Sequence, residues 1–230
     1  MSAPVIDLSF PHQWQAEILP ARPVILPPRR YVYPREVEEI ERGALELLIR
    51  PASEQRDLKQ NESGHEFSRA ENAGGGEIGA LAPDSDAESL TPPQPVLATC
   101  AVGFLDPIVP TGIWSCPNPR EICAVSGGYA YLIDTTAPEQ FTMIALRPVL
   151  EVRPAVEEEL LLFIGHYSIL AWGTQGQAWQ SVKLSDEGVT IAGIEPGVLR
   201  GLGWKMVTDK ETPFAIDLRT GRQFPLGFSA

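Results

Sequence analysis

The sequence predicts an all-β protein: an antiparallel meander of hairpins, with an N-terminal arm and one short helix. Three observations predict it. Turn residues recur from Val96 onward at Gly127-Gly128, Thr135 to Pro138, Pro148, Pro154, Gly176, Gly188, Pro196-Gly197 and Thr220-Gly221. A spacing of about ten residues is that of short antiparallel strands in a sandwich, barrel or propeller. Between the turns, apolar residues often alternate with a period of two. Past residue 95, no helical period persists without interruption by Gly or Pro.

The alternation assigns faces. "FAIDL" puts Phe214, Ile216 and Leu218 on one side and Ala215 and Asp217 on the other. "GYAYLID" groups Tyr129, Tyr131 and Ile133 against Ala130 and Leu132. "QFTMIAL" separates Phe141, Met143 and Ala145 from Thr142, Ile144 and Leu146. "ELLLFIGHYSILAWG" is expected to be strand, a slight break at Gly165, then strand again, after which "TQG" turns the chain and "QAWQSVKL" returns. Trp172 and Trp179 then pack across that hairpin, and Gly165 beside His166 marks a bulge or close approach.

Four segments follow in order. Residues 1–33 are rich in proline and read as an extended arm, held against the body by Phe10, Trp14, Ile18, Val24 and Ile25. Residues 34–50 read as a short helix and the first strand. Pro34 suits the first helical position, Glu36, Glu38 and Glu39 complement its positive end, and Gly43 stops it. Residues 51–94 form an acidic insert. Between 51 and 93, nine acids stand against three bases, so this stretch carries half of the net charge of −12. With so few large apolar side chains it cannot offset the entropy of ordering, and disorder is expected. Residues 95–230 are the all-β body, forming one domain with 34–50. "GALELLIRP" and "PVLATCAVGF" read as two arms of one hairpin whose connection the insert has lengthened. Loop closure cost grows only logarithmically with length, so the lengthening is mild.

Two stretches resemble β-propeller blades of the quinoprotein-like and WD-like kind. "GGYAYLIDTTAPEQFTMIAL" (127–146) has a small-residue strand ending in Asp-Thr and turning into the next strand. "PFAIDLRTGRQ" (213–223) is similar to the blade turn in which an Asp after an apolar strand accepts hydrogen bonds from a turn closed by Thr-Gly. The resemblance implies a blade-like antiparallel meander and brings no catalytic residue or cofactor with it. Neither Trp-Asp nor Gly-His ends a blade, no repeat of 40–50 residues is visible, and the strands suffice for about three blades. A partial propeller, a sandwich and a barrel all remain open.

Composition bounds the function. The chain has 230 residues, 43% hydrophobic and 21% charged, which is the range of a soluble globular protein. No apolar run reaches about eighteen residues, so no membrane span is expected. The start of the chain lacks the basic lead and apolar stretch of a secretory signal. A net charge of −12 with one short basic cluster, Arg29-Arg30, argues against nucleic acid or anionic membrane as a partner. Three cysteines are too few and odd for a disulfide scaffold and fit a reducing cytoplasm, with a Cys116–Cys123 bridge left open.

Few residues suggest chemistry. The six-residue gap between Cys116 and Cys123 does not suit one tight zinc turn, and no metal site is expected. A nucleophilic cysteine would need His166, the one histidine outside the arm and the insert. Glu157, Glu158 and Glu159 read as a solvated turn. Asp106, Asp134, Asp186, Asp209 and Asp217 neighbour turns, where carboxylates cap backbone amides. The unusual loop is "DPIVPTGIWSCPNPR", whose Pro and Gly restrict it and suit it to presenting Trp114 and Arg120, unless Trp114 plugs the core. The expectation is a non-catalytic interaction or scaffold module without a cofactor, binding a protein partner or a second copy of itself. Candidate contact residues are Trp114, Arg120, His166 and Trp204. The alternative is an enzyme or small-ligand binder with a pocket near Trp114, Cys116, His166 and Trp204.

Overall fold

A pleated backbone sends neighbouring side chains to opposite faces, so segments with alternating apolar residues become strands here. The structure, a computed structural model, describes residues 3–35, 42–52 and 94–225. The described residues hold β1 Val5–Asp7, β2 Trp14–Leu19, β3 Arg29–Tyr33, β4 Ala44–Pro51, β5 Val96–Ala101, β6 Gly112–Ser115, β7 Glu121–Ser126 and β8 Tyr129–Asp134. They continue with β9 Phe141–Met143, β10 Glu151–Ala155, β11 Leu160–Ile164, β12 Ile169–Gly173, β13 Gly176–Gln180, β14 Val189–Glu195, β15 Val198–Lys205 and β16 Lys210–Asp217. The expected helix after Pro34 and the acidic insert fall on 36–41 and 53–93, outside the described residues.

The strands form four sheets rather than one continuous meander. Sheet I has the order β2-β4-β5-β3, sheet II β1-β6-β7-β8-β9, sheet III β10-β11-β12-β13 and sheet IV β14-β15-β16. Most pairs are antiparallel, but β1 runs parallel to β6 and β3 parallel to β5. The arm therefore supplies strands to two sheets and does more than lie on the surface. Phe10 and Trp14 are buried as expected, whereas Val24 (100% exposed) and Ile25 (89%) are not. They sit in the connection between β2 and β3, where no sheet face reaches them.

Three apolar seams hold the sheets in the order I–II–III–IV. Trp14, Tyr33, Leu47, Ile49, Ala98 and Cys100 of sheet I meet Ile122, Tyr131 and Ile133 of sheet II. The other face of sheet II brings Trp114, Cys123, Val125 and Leu132 against Phe163, Leu170 and Trp172 of sheet III. The far side of sheet III brings Leu162, Ile169 and Trp179 against Leu199, Phe214, Ile216 and Leu218 of sheet IV. Phe214, Ile216 and Leu218 of "FAIDL" face sheet III, whereas both faces of "GYAYLID" are buried, Tyr131 and Ile133 toward sheet I and Ala130 and Leu132 toward sheet III. β4 and β5 pair from Ala44↔Ala101 to Ile49↔Val96, so they are the two arms of one hairpin across the insert. The described residues form no closed barrel or propeller ring.

The stretch around His166 folds differently from expectation. β11 and β12 pair with each other, Leu161 opposite Trp172, and Gly165 to Ser168 make the turn between them, with Gly165 N–H donating to Ser168 O at 3.0 Å. Gly165 does mark a close approach, since a Cβ there would meet Leu146 Cδ2 at 2.4 Å. Trp172 and Trp179 lie on opposite faces of sheet III, facing sheets II and IV. The register shift at Ala171/Trp172 puts Trp179 opposite Ala171 and Trp172 opposite Gln177, so the two rings never pack on each other.

Candidate functional site

The candidate residues from the sequence scatter. Trp114 and Cys116 are buried between sheets II and III, so Trp114 plugs the core and presents no contact surface. The reason is register: Trp114 is inside β6, opposite Cys123, on the face that sheet III covers. Arg120 lies on the exposed turn before β7, and its carbonyl accepts hydrogen bonds from Thr135 N–H (2.9 Å) and Oγ1–H (2.7 Å). His166 sits in the β11–β12 turn with its ring 5.9 Å from that of Tyr167. Trp204 is half-buried on the face of sheet IV turned away from sheet III, as the inward Leu199, Gly201 and Gly203 require. These residues form no common pocket.

The cysteines are free thiols, all buried. Burial pushes the Cys100, Cys116 and Cys123 thiols well up from their usual range, with neighbouring thiols or carboxylates adding to it. A thiolate nucleophile is disfavoured at each. Among the described residues no group of three or more His, Cys, Asp or Glu is placed to hold a metal ion, and no helix is long and apolar enough to cross a membrane.

The aspartates cap turns. Asp217 Oδ1 accepts from Arg219 N–H (2.8 Å) and Thr220 N–H (3.3 Å), and Asp134 Oδ1 from Thr136 N–H (2.8 Å) and Ala137 N–H (3.2 Å). Burial opposes ionisation of Asp134, yet those hydrogen bonds, with Arg120 nearby, hold it below the usual carboxylate range. Asp106 caps Ile108, and Asp186 takes Met206 N–H and an ion pair with Lys183.

Two concavities stand out. A polar recess of about 460 Å³ is bordered by Tyr167, Ser168, Gln180, Lys183 and Asp186. Its groups already serve one another: Lys183 Nζ is 2.8 Å from Asp186 and lies over the Tyr167 ring, while Gln180 donates to Ser168. The second is apolar, about 590 Å³, where sheets I and II meet at the end bearing Gly43 and Val102. Ile6, Ile18, Leu19, Leu45, Val102 and Leu105 line it. Three strands fix its walls: β1 carries Ile6, β2 ends in Ile18 and Leu19, and β4 begins with Ala44 and Leu45. Leu105 (77% exposed) overhangs it with Ile6 (60%), and Ile108 (78%) follows in the same loop. β1 is an edge of sheet II, and since Val5 N–H is directed at Thr111 of the connection to β6, the backbone groups of Ile6 face away from β6.

Of the two readings of the loop around Trp114, presented or plugging the core, burial of Trp114 fits the second, and the exposed side chains nearby are Leu105 and Ile108. Phe104-Leu105 before Asp106-Pro107, then Ile108, is an apolar cluster inside turn chemistry, which is the signal for exposed hydrophobes. Comparison of the chain with known protein families, curated proteins and solved structures finds no match. The described residues thus define an all-β protein of four stacked sheets with an apolar groove where β1 edges sheet II.

Proposed function

We propose that the protein is a non-catalytic interaction module that takes an extended, apolar segment of a partner protein into the groove beside β1. One observation carries the reading: Ile6 on the edge strand β1 and Leu105 in the β5–β6 connection stand exposed at an apolar concavity, and Ile108, exposed as well, follows in the same connection. Exposed apolar residues gathered around one groove mark interaction surfaces more often than isolated ones do. A free strand edge beside it offers backbone pairing, with alternate side chains of the guest entering the groove. The net charge of −12 opposes a second copy and favours a guest with flanking Lys or Arg. The blade-like reading of the four sheets is supported by the Asp217 and Asp134 turns, and a reducing compartment by three buried free thiols.

A photo-crosslinking residue at position 108 of the full chain tests this in cells. The expected product is one recurrent adduct peptide, apolar at alternate positions and flanked by basic residues. Ile6→Asp with Leu105→Asp is expected to cut its yield about tenfold or more, since each buried aliphatic side chain contributes about 1.5 kcal/mol or more. Adducts only to the chain itself or to lipid, or a yield unchanged by the two aspartates, would sink the reading.

A further inference from the structure

The apolar groove between sheets I and II also has polar side chains in its lining, and all of them can donate hydrogen bonds. Ser126 closes β7, where Ile122 and Ala124 turn toward sheet I and Cys123 and Val125 toward sheet III. Alternation therefore puts the Ser126 side chain on the sheet I side, where the groove lies. Ser126 is 1% exposed, yet its hydroxyl bonds to none of the described residues. Its carbonyl is occupied, accepting from Gly103 N–H at 3.0 Å. An unpaired buried hydroxyl is rare, and it points to a group that arrives from outside.

Two further donors line the same concavity. Thr111 Oγ1 accepts from Gly127 N–H at 3.0 Å, which leaves its own O–H to donate. Arg42 is exposed and forms no ion pair with a described residue. Among the described lining residues it is the one that carries charge, with no Asp or Glu beside it. The walls suit an apolar chain, and the three donors suit an anionic acceptor. Alongside runs β1, where the N–H and C=O of Ile6 point away from β6.

We propose that the groove captures the C-terminal end of its guest protein, with the terminal carboxylate held by Arg42, Thr111 and Ser126. This rests on the interaction reading above and adds which part of the guest enters. A carboxylate accepts through two oxygens at about four lone-pair positions, so a guanidinium and two hydroxyls can share it. A peptide fits better than a fatty acid, because only a peptide can pair with the outward backbone of β1. The guest's last residues are aliphatic at alternate positions. The Lys or Arg that the net charge of −12 favours stand upstream of them.

The test selects binders to the full chain from a random peptide library displayed with free C-termini. Fluorescence anisotropy then compares a selected peptide as the free acid and as the C-terminal amide. The acid is expected to bind about tenfold or more tightly. Arg42→Gln weakens the acid by a similar factor and leaves the amide unchanged, and Ser126→Ala weakens the acid about threefold or more. The acid–amide comparison is made on the wild-type chain, so it decides even if a variant fails to fold. Equal affinity of acid and amide, undiminished discrimination in Arg42→Gln, or full affinity in Ser126→Ala overturns the proposal. If Ile6→Asp with Leu105→Asp still abolishes that binding, the groove reading survives the loss. Selection of no peptide, binding indifferent to the two aspartates, or binding of dodecanoate where no peptide binds overturns both.

Discussion

Phe163→Ala is expected to cost about 3–5 kcal/mol of unfolding free energy, the usual range for truncating a buried phenylalanine. Phe163 is 0% exposed at the middle of β11. Val152 of β10 stands opposite it on one side and Leu170 of β12 on the other. All three side chains belong to the seam with sheet II, together with Trp172 and Leu161. With β11 hydrogen-bonded along both edges, the backbone cannot collapse into the space, so the cavity cost adds to the lost transfer free energy. In a chain of this size each kcal/mol lowers Tm by about 2–4 °C, giving a fall of about 10 °C. Val24→Ala, at a fully exposed position, should stay within about 0.5 kcal/mol of wild type. Urea unfolding of the two variants decides it: a loss below about 1 kcal/mol for Phe163→Ala would mean that sheets II and III are not packed as described.

Gly203→Ala is expected to destabilise by about 1–3 kcal/mol or more, although it adds a single methyl group. Gly203 lies in β15 between Val189 and Thr212 and faces sheet III. A Cβ built there would meet the Leu184 carbonyl oxygen at 2.2 Å and its carbon at 3.0 Å. That neighbour is backbone, in the segment that carries the chain from sheet III to sheet IV, so no rotamer change relieves the clash. Gly193→Ala is the matched control, because nothing lies within 4 Å of its Cβ position and its φ lies outside the strained positive region. There the methyl group should be neutral or raise stability by about 0.4–1 kcal/mol through the unfolded chain. Equal stabilities of the two variants in thermal unfolding would show that the backbone at Leu184 does not lie as close to β15 as described.

Position-specific effects of this kind were out of reach of the sequence, whereas the faces of several strands were not. "FAIDL" reveals its inward side because side chains alternate along any strand whatever its partner; "GYAYLID" shows the same division into two faces, but both are covered. The caps at Asp134 and Asp217 were legible for the same reason, since a carboxylate reaching an amide two residues on is a local event. The β4–β5 hairpin could be read across the insert because both arms are short apolar runs with compatible lengths. The turn at "GHYS" was misread, because "LLLFI" and "SILAW" are so uniformly apolar that no alternation marks where the chain reverses.

Trp172 and Trp179 show the boundary sharply. Their sequence positions suggest one aromatic pair; a register shift between Ala171 and Trp172 sends them to different seams. Trp114 looks exposed in a Pro- and Gly-rich stretch, yet sheet III covers it. The apolar groove is still less visible, since Ile6, Leu45 and Leu105 come from three distant parts of the chain.

The sequence by itself determined the class of structure, the inward faces of its clearest strands and its turn chemistry, for each depends on backbone preferences within a few residues. Only the tertiary structure decided which strands share a sheet, which sheet covers which face, and so which apolar residues stay in the open. Those choices are made by burial summed over residues far apart in the chain, and no short stretch of sequence contains that sum.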